Sequence, residues 1–166
     1  MKRKDWEGTA VNEETGINIR PYRPTNWDRL CQIHDAARKH ELAAAGLSAA
    51  FLTLAETAEN EGLFDGTVVV AELAGIVQGF VAFTDDELTW LYVAPAAYRQ
   101  GVGRALLRYA LAHTANTVAT EVLVGNEAAL QLYLAEGFQL VRRVDGNLTG
   151  NEAFTASGYI LQHSKT

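Results

Sequence analysis

The single cysteine of this 166-residue chain, Cys31, excludes an internal disulfide and a cysteine-based zinc site. Prolines are few, three in all, and no Pro- or Ser-rich stretch marks a linker, so one domain is expected. Basic residues are in deficit, 14 Lys and Arg against 20 Asp and Glu. The resulting net charge of −6 speaks against a broad nucleic-acid surface, and any anionic ligand must find a local positive pocket. No apolar run approaches the roughly 20 residues that span a bilayer. The most apolar stretch, residues 67–83, is broken by Glu72, Gly75, Gln78 and Gly79, so no membrane segment is expected. Lys2, Arg3 and Lys4 are followed by no apolar run, which argues against a secretory signal and for a cytoplasmic chain. The histidines, His34, His40, His113 and His163, are scattered without zinc-ligand spacing, so no metal is expected.

What is present is ordinary globular material: 48% hydrophobic, 20% charged and 9% aromatic residues, enough for a real core. Residues 1–16 read as a tail and 17–166 as the domain. Ile17 to Arg20 alternates as a strand. Thr25-Asn26 is expected to cap a helix through Trp27, Leu30, Ile33, His34 and Ala37 that ends at Gly46. A second helix is expected from Ser48 through Phe51, Leu52, Leu54 and Ala55 to Gly62. Residues 67–73 and 76–83 form a hairpin about Ala74-Gly75, and residues 88–93 the next strand. A helix over 101–114, a strand over 117–124 and an Asn126-capped helix to Gly137 follow. Two strands, 138–142 and 159–162, enclose a long loop, 144–158, expected to matter functionally.

Two motifs carry chemistry. The first is Tyr98-Arg99-Gln100-Gly101-Val102-Gly103-Arg104 after the strand ending at Val93. Glycines at a loop-to-helix junction let backbone amides approach a phosphate, and the helix start adds about half a positive charge. Leu106 does not fit a dinucleotide-binding fingerprint, and no Gly-Lys-Ser/Thr is present for a Walker loop. A turn that merely needs small residues is the plain alternative. The second motif is Asn126-Glu127-Ala128-Ala129-Leu130-Gln131-Leu132-Tyr133-Leu134-Ala135-Glu136-Gly137-Phe138.

Together, and in this order, the motifs resemble those of the GNAT superfamily of acyl-CoA-dependent N-acyltransferases, Q/R-x-x-G-x-G/A followed by N-x-x-A-x-x-L/F-Y-x-x-x-G-F. The second pattern matches at every position; in the first, Tyr98 stands where the family has Gln or Arg. The resemblance covers the chain from Ile17 to Gln162. It implies an α/β fold with a mixed central β-sheet flanked by helices, its strands splayed to hold acetyl-CoA. The pantetheine arm would lie along Leu91, Tyr92 and Val93, bonded to backbone groups of Leu91 and Val93. Amides of Gly101, Val102, Gly103 and Arg104 would hold the diphosphate, with charge or side-chain contacts from Arg99, Gln100 or Arg104. Asn126 would touch the cofactor arm, and Tyr133 would protonate the departing thiolate. The implied partners are acetyl-CoA and a primary amine acceptor, with a homodimer left open. Transfer would be direct, with the oxyanion met by the amide near Val93.

The resemblance also calls for a base early on the strand before the cofactor loop, and Glu87 sits there. Period-2 alternation puts it on one face with Thr89, Leu91 and Val93. Asp85-Asp86-Glu87 reads equally well as a solvated turn, and a water relay could replace the carboxylate. Trp90, opposite that face, is expected in the core, as is Cys31 in its helix. His34 is expected either in the core or beside the acceptor. A catalytically silent acyl-CoA-binding or regulatory module is the competing function.

Overall fold

The computed structural model describes the backbone of residues 10–166 and side chains from residue 13 onward. Residues 1–9 of the expected tail lie outside the described residues. The remainder of that tail is in part a strand: β1, Ala10–Asn12, pairs antiparallel with β2, Ile17–Pro21. β2 pairs with β3, Thr67–Leu73, which pairs with β4, Ile76–Phe83, which pairs with β5, Leu88–Val93, to give a five-stranded antiparallel sheet. The β3–β4 turn is the expected Ala74-Gly75, both residues at positive φ, as the tight hairpin turn requires.

A second antiparallel sheet has the order β6, Thr117–Leu123, then β8, Thr155–Ser164, then β7, Gln139–Asn147. The two sheets join through one parallel bridge, Glu87 to Ala119, and beyond it β5 and β6 part. The architecture is thus mixed α/β, its parallel character confined to that bridge.

Helices cover both faces of the first sheet. Helix α1, Trp27–Ala44, buries Leu30, Ile33, His34 and Ala37, and His34 meets Tyr92 edge-on, with ring centroids 4.8 Å apart. Tyr92 is paired across the sheet with Phe80. Helix α3, Val102–Ala112, packs on the other face, where a Cβ on Gly79 would come within 3.0 Å of the Leu106 and Val102 side chains. Neighbouring strand residues point to opposite faces, so Gly79 and Phe80 assign one helix to each side. The core between them includes Phe80, Leu106 and Leu107, all fully buried, each contributing about 1.5–3 kcal/mol.

Two expected elements differ. The helix from Ser48 to Gly62 is broken: a single 3-10 turn, Ser48–Ala50, gives way to extended Phe51, and α2 occupies only Leu54–Thr57. Thr53 starts α2 through a capping box, its hydroxyl accepting from the Glu56 amide while the Glu56 carboxylate accepts from the Thr53 amide. The chain cannot run helically through a residue whose backbone is extended to cap the next turn. The long loop 144–158 is mostly hairpin: β7 and β8 pair from Asn147↔Thr155 to Gln139↔Gln162, leaving only residues 148–154 between them. Replacing Thr53 by Ala should lower unfolding free energy by about 1 kcal/mol without changing the fold. Urea titration followed by circular dichroism measures it, and a midpoint equal to the parent's would deny the cap that role.

Candidate active site

The parting of β5 from β6 creates a cleft of about 1030 Å³. Along its β5 wall the ladder to β4 consumes alternate backbone groups: the amide of Ala94 donates to the Gln78 carbonyl at 2.7 Å. Antiparallel alternation therefore turns the backbone of Leu91 and Val93 toward the opening, where no strand pairs with them. Near the bridge, the Thr120 hydroxyl donates to the Leu88 carbonyl at 2.9 Å and ends the open stretch.

At the far end lies the start of α3. Its N-cap, Gly101, takes φ +83, a left-handed conformation that favours glycine, and offers no side chain to cap the helix. Amides of the first helical turn have no intrahelical acceptor, so those of Val102, Gly103 and Arg104, all lining the cleft, are left for an anion. By contrast, the Asn126 side chain caps α4, Glu127–Ala135, by accepting from the Ala129 amide at 3.4 Å. A Cβ on Gly103 would make ordinary contacts, 3.4 Å to Leu132 and 3.5 Å to Val93, so a larger side chain must extend into the cleft.

Leu91, Tyr92, Val93, Arg99, Gly101, Val102, Gly103, Arg104, Asn126 and Tyr133 are brought together on this cleft. Gln100 is not: its side-chain amide donates to the Ala96 carbonyl at 3.3 Å. Arg99 holds φ +63, rare for a residue with a side chain, and is exposed. Arg104 is engaged already, with Nε 2.8 Å from Glu136, which Arg108 also holds at 2.8 Å. The positive character of this end of the cleft thus comes from the backbone amides and Arg99. Tyr98 stands exposed on the rim, its ring edge-on to His40 with centroids 6.0 Å apart.

Tyr133 is 5% exposed and packs edge-to-face on Phe138, with its ring on the cleft wall. Burial pushes its phenol well above the ordinary tyrosine range, the Glu41 charge adds to the rise, and a hydrogen bond with Thr120 opposes it. The hydroxyl is therefore protonated, and its environment makes it a weaker acid than an ordinary tyrosine.

A second cleft, of about 550 Å³, meets the first along Leu88–Tyr92. Its walls carry the carboxylates Glu41, Glu61, Glu87, Glu121 and Asp145 against one arginine, Arg38. Glu87 is exposed here, not on the larger cleft. The alternation argument for it does not carry across β5, because the ladder shifts register between Ala82 and Phe83: Leu88 and Trp90 face those residues and Thr89 is an extra residue between them. The Thr89 hydroxyl folds back onto the Ala82 carbonyl at 3.1 Å. What brings Glu87 to the second cleft is the bridge to Ala119. Residues 148–154 roof this cleft, with Leu148 buried against Leu42 and Ala50, and the Asn151 amide donating to the Ala50 carbonyl at 2.9 Å.

His34 is 2% exposed on the same wall; burial lowers its pKa, and the nearby Asp35, 2.9 Å from Nδ1, opposes the shift. Trp90 is buried in the core, and burial raises the Cys31 thiol, which favours its inert form. Among the described residues no group of histidine, cysteine and acidic side chains could hold a metal ion, and no helix is long and apolar enough to cross a membrane. The residues missed from sequence are Arg38 and Glu41. They continue the buried face of α1 at helical spacing from His34, where that face turns polar.

Comparison with known proteins agrees with this geometry. Residues 64–140 match the family model described as an acetyltransferase (GNAT) domain. Peptidyl-lysine N-acetyltransferase YiaC of Escherichia coli strain K12 is 36% identical over 73 residues, 43% of this chain and 49% of that protein. The matched stretch thus spans about half of that relative's length. Among solved structures, a GCN5-related N-acetyltransferase from Rhodopseudomonas palustris superposes with a TM-score of 0.72 at 20% identity, over 89% of this chain and 94% of that one. YncA from Salmonella typhimurium, solved with its cofactor acetyl-CoA, gives 0.66 at 21% identity over 89% and 93%. Residues 64–140 thus resemble a GNAT acetyltransferase domain, and 89% of the chain shares the fold of these solved structures.

Proposed function

We propose that this protein is a cytoplasmic N-acetyltransferase that moves acetyl from acetyl-CoA directly to a cationic primary amine. The observation that carries the reading is the uncapped start of α3 beside the open edge of β5, with the Tyr133 ring on the same cleft. An extended arm can add to that edge through Leu91 and Val93, as a peptide strand does in β-augmentation, and the α3 amides can take a diphosphate. Acetyl-CoA supplies the activated thioester. Tyr133 holds a proton at its hydroxyl for the departing sulfur, and the Val93 amide is available to the developing oxyanion. The second cleft supports the acceptor class. Its five carboxylates favour an ammonium-bearing molecule, and a lysine side chain, named in the E. coli relative, belongs to that class.

The amine must lose a proton before attack, and Glu87, directly or through one water, is the base in this scheme. An amine panel with acetyl-CoA, followed by thiol release and product mass, tests the activity. Acetyl-CoA that binds but is never consumed with any amine would favour a silent binding module.

Three variants separate the parts. Gly103→Glu should remain folded and lose acetyl-CoA binding by calorimetry, because its side chain and charge enter the cradle; parent-like affinity would displace the cradle from this helix. Tyr133→Phe should lower kcat by about two orders of magnitude with cofactor affinity largely kept. An unchanged kcat when chemistry limits the rate returns Tyr133 to packing. Glu87→Gln should flatten the rise of kcat/KM with pH at low amine, and a profile overlaying the parent in shape and height excludes this carboxylate.

A further inference from the structure

Glu41 lies at the junction of the two clefts and belongs to the walls of both. It comes from the last turns of α1, and its carboxylate divides between two elements that have no other link at this point. Oε1 accepts from the Tyr92 hydroxyl at 3.3 Å, and Oε2 accepts from the Asn126 side-chain amide at 3.0 Å. Tyr92 stands on β5, one lip of the opening, while Asn126 follows β6 and starts α4 on the other lip. Arg38, one turn earlier on α1, donates to Oε1 as well and compensates the charge of a carboxylate that is only 19% exposed.

A second contact ties the same helix end to the same turn. Gly125 sits against the C-terminus of α1 so closely that a Cβ there would lie 2.7 Å from the Ala44 carbonyl oxygen and 2.9 Å from the Ala45 Cα. Gly125 also takes φ +106, which glycine alone adopts without strain. Backbone therefore rests on backbone at this point, and the Glu41–Asn126 hydrogen bond lies one residue further on. A surface ion pair with Arg38 would explain none of this, since such a pair needs neither a tyrosine on β5 nor an asparagine 85 residues away.

We propose that Glu41 is a positioning residue whose carboxylate clamps β5 to the turn between β6 and α4, and so sets the width of the opening that receives the thioester. The inference rests on the cofactor reading above for what enters the opening; the clamp itself is a property of the free protein. Asn126 is held by Glu41 on one side and caps α4 on the other, so the clamp also fixes the first turn of the helix that carries Tyr133. Without the carboxylate, the Asn126 amide, the Tyr92 hydroxyl and Arg38 each lose a partner in a half-buried place.

Hydrogen exchange and calorimetry on the same variants test it. In the absence of any ligand, Glu41→Ala should raise amide exchange across residues 124–130 by about tenfold while distant strands such as β3 keep parent rates. Its affinity for acetyl-CoA should fall by a similar factor. Glu41→Gln retains the shape and one acceptor oxygen, so it should fall between the parent and Glu41→Ala in both measurements, and it serves if the alanine variant does not fold. Exchange over 124–130 equal to the parent in Glu41→Gln and Glu41→Ala overturns the clamp. Faster exchange there with unchanged acetyl-CoA affinity overturns its link to the opening. A parent protein that fails to bind acetyl-CoA at all overturns the cofactor reading, and the clamp is then decided by exchange alone.

Discussion

β5 and β6 touch as strands only at the Glu87–Ala119 bridge, and much of the site follows from that constraint. β5 spends one edge on β4, so beyond the bridge its other edge has backbone donors and acceptors but no ladder. Unpaired backbone polar groups away from water carry a cost of the order of a lost hydrogen bond, about 1–3 kcal/mol each, and so must face solvent or a ligand that pairs with them. The bulge at Thr89 contributes to the divergence, because an extra residue bends and twists the strand that carries it. The separation exposes Leu91 and Val93, gives the Tyr133 wall a cavity to face, and leaves α1 to bridge the gap.

Charge is divided between the two clefts by different means. Beside the larger cleft, Arg104 and Arg108 are both occupied by Glu136, and the attraction for an anion is left to Arg99 and the free amides of the first turn of α3. Those amides carry no mobile charge and need no side-chain ordering when a ligand arrives. In the smaller cleft the field is made by carboxylates on α1, the α2 region, the residue before β5, β6 and β7. An overall acidic chain thus presents free helix-start amides and clustered carboxylates along two adjoining clefts.

The sheet strands and α3 were legible because local signals agree: β-branched runs at 67–73 and 76–83 bounded by Ala74-Gly75, and an apolar face on α3 opened by Gly101. That the two motifs share one cleft was legible for a different reason, since its side chains and amides come from contiguous stretches of sequence. What failed depended on partners remote in sequence. β7 is an edge strand wet on both faces, so Gln139–Asn147 has no alternation to read. The bulge at Thr89 leaves no mark in composition, although it decides the direction of every side chain before it. Glu41 carries no local signal of its role, because its partners Tyr92 and Asn126 lie 51 and 85 residues further along. The Thr53–Glu56 capping box, by contrast, was a readable local signal hidden inside an apolar run.

The roof over the smaller cleft is held by a small apolar cluster of its own: Leu42, Ala50 and Leu148 share no buried member with the main core. So few buried side chains make a weak cooperative unit, and the free energy of opening it lies well below that of melting the sheets. Residues 148–154 can therefore lift as a local event while α3 and β5 stay folded. Opening there would change access to the smaller cleft while leaving the α3–β5 wall of the larger one in place.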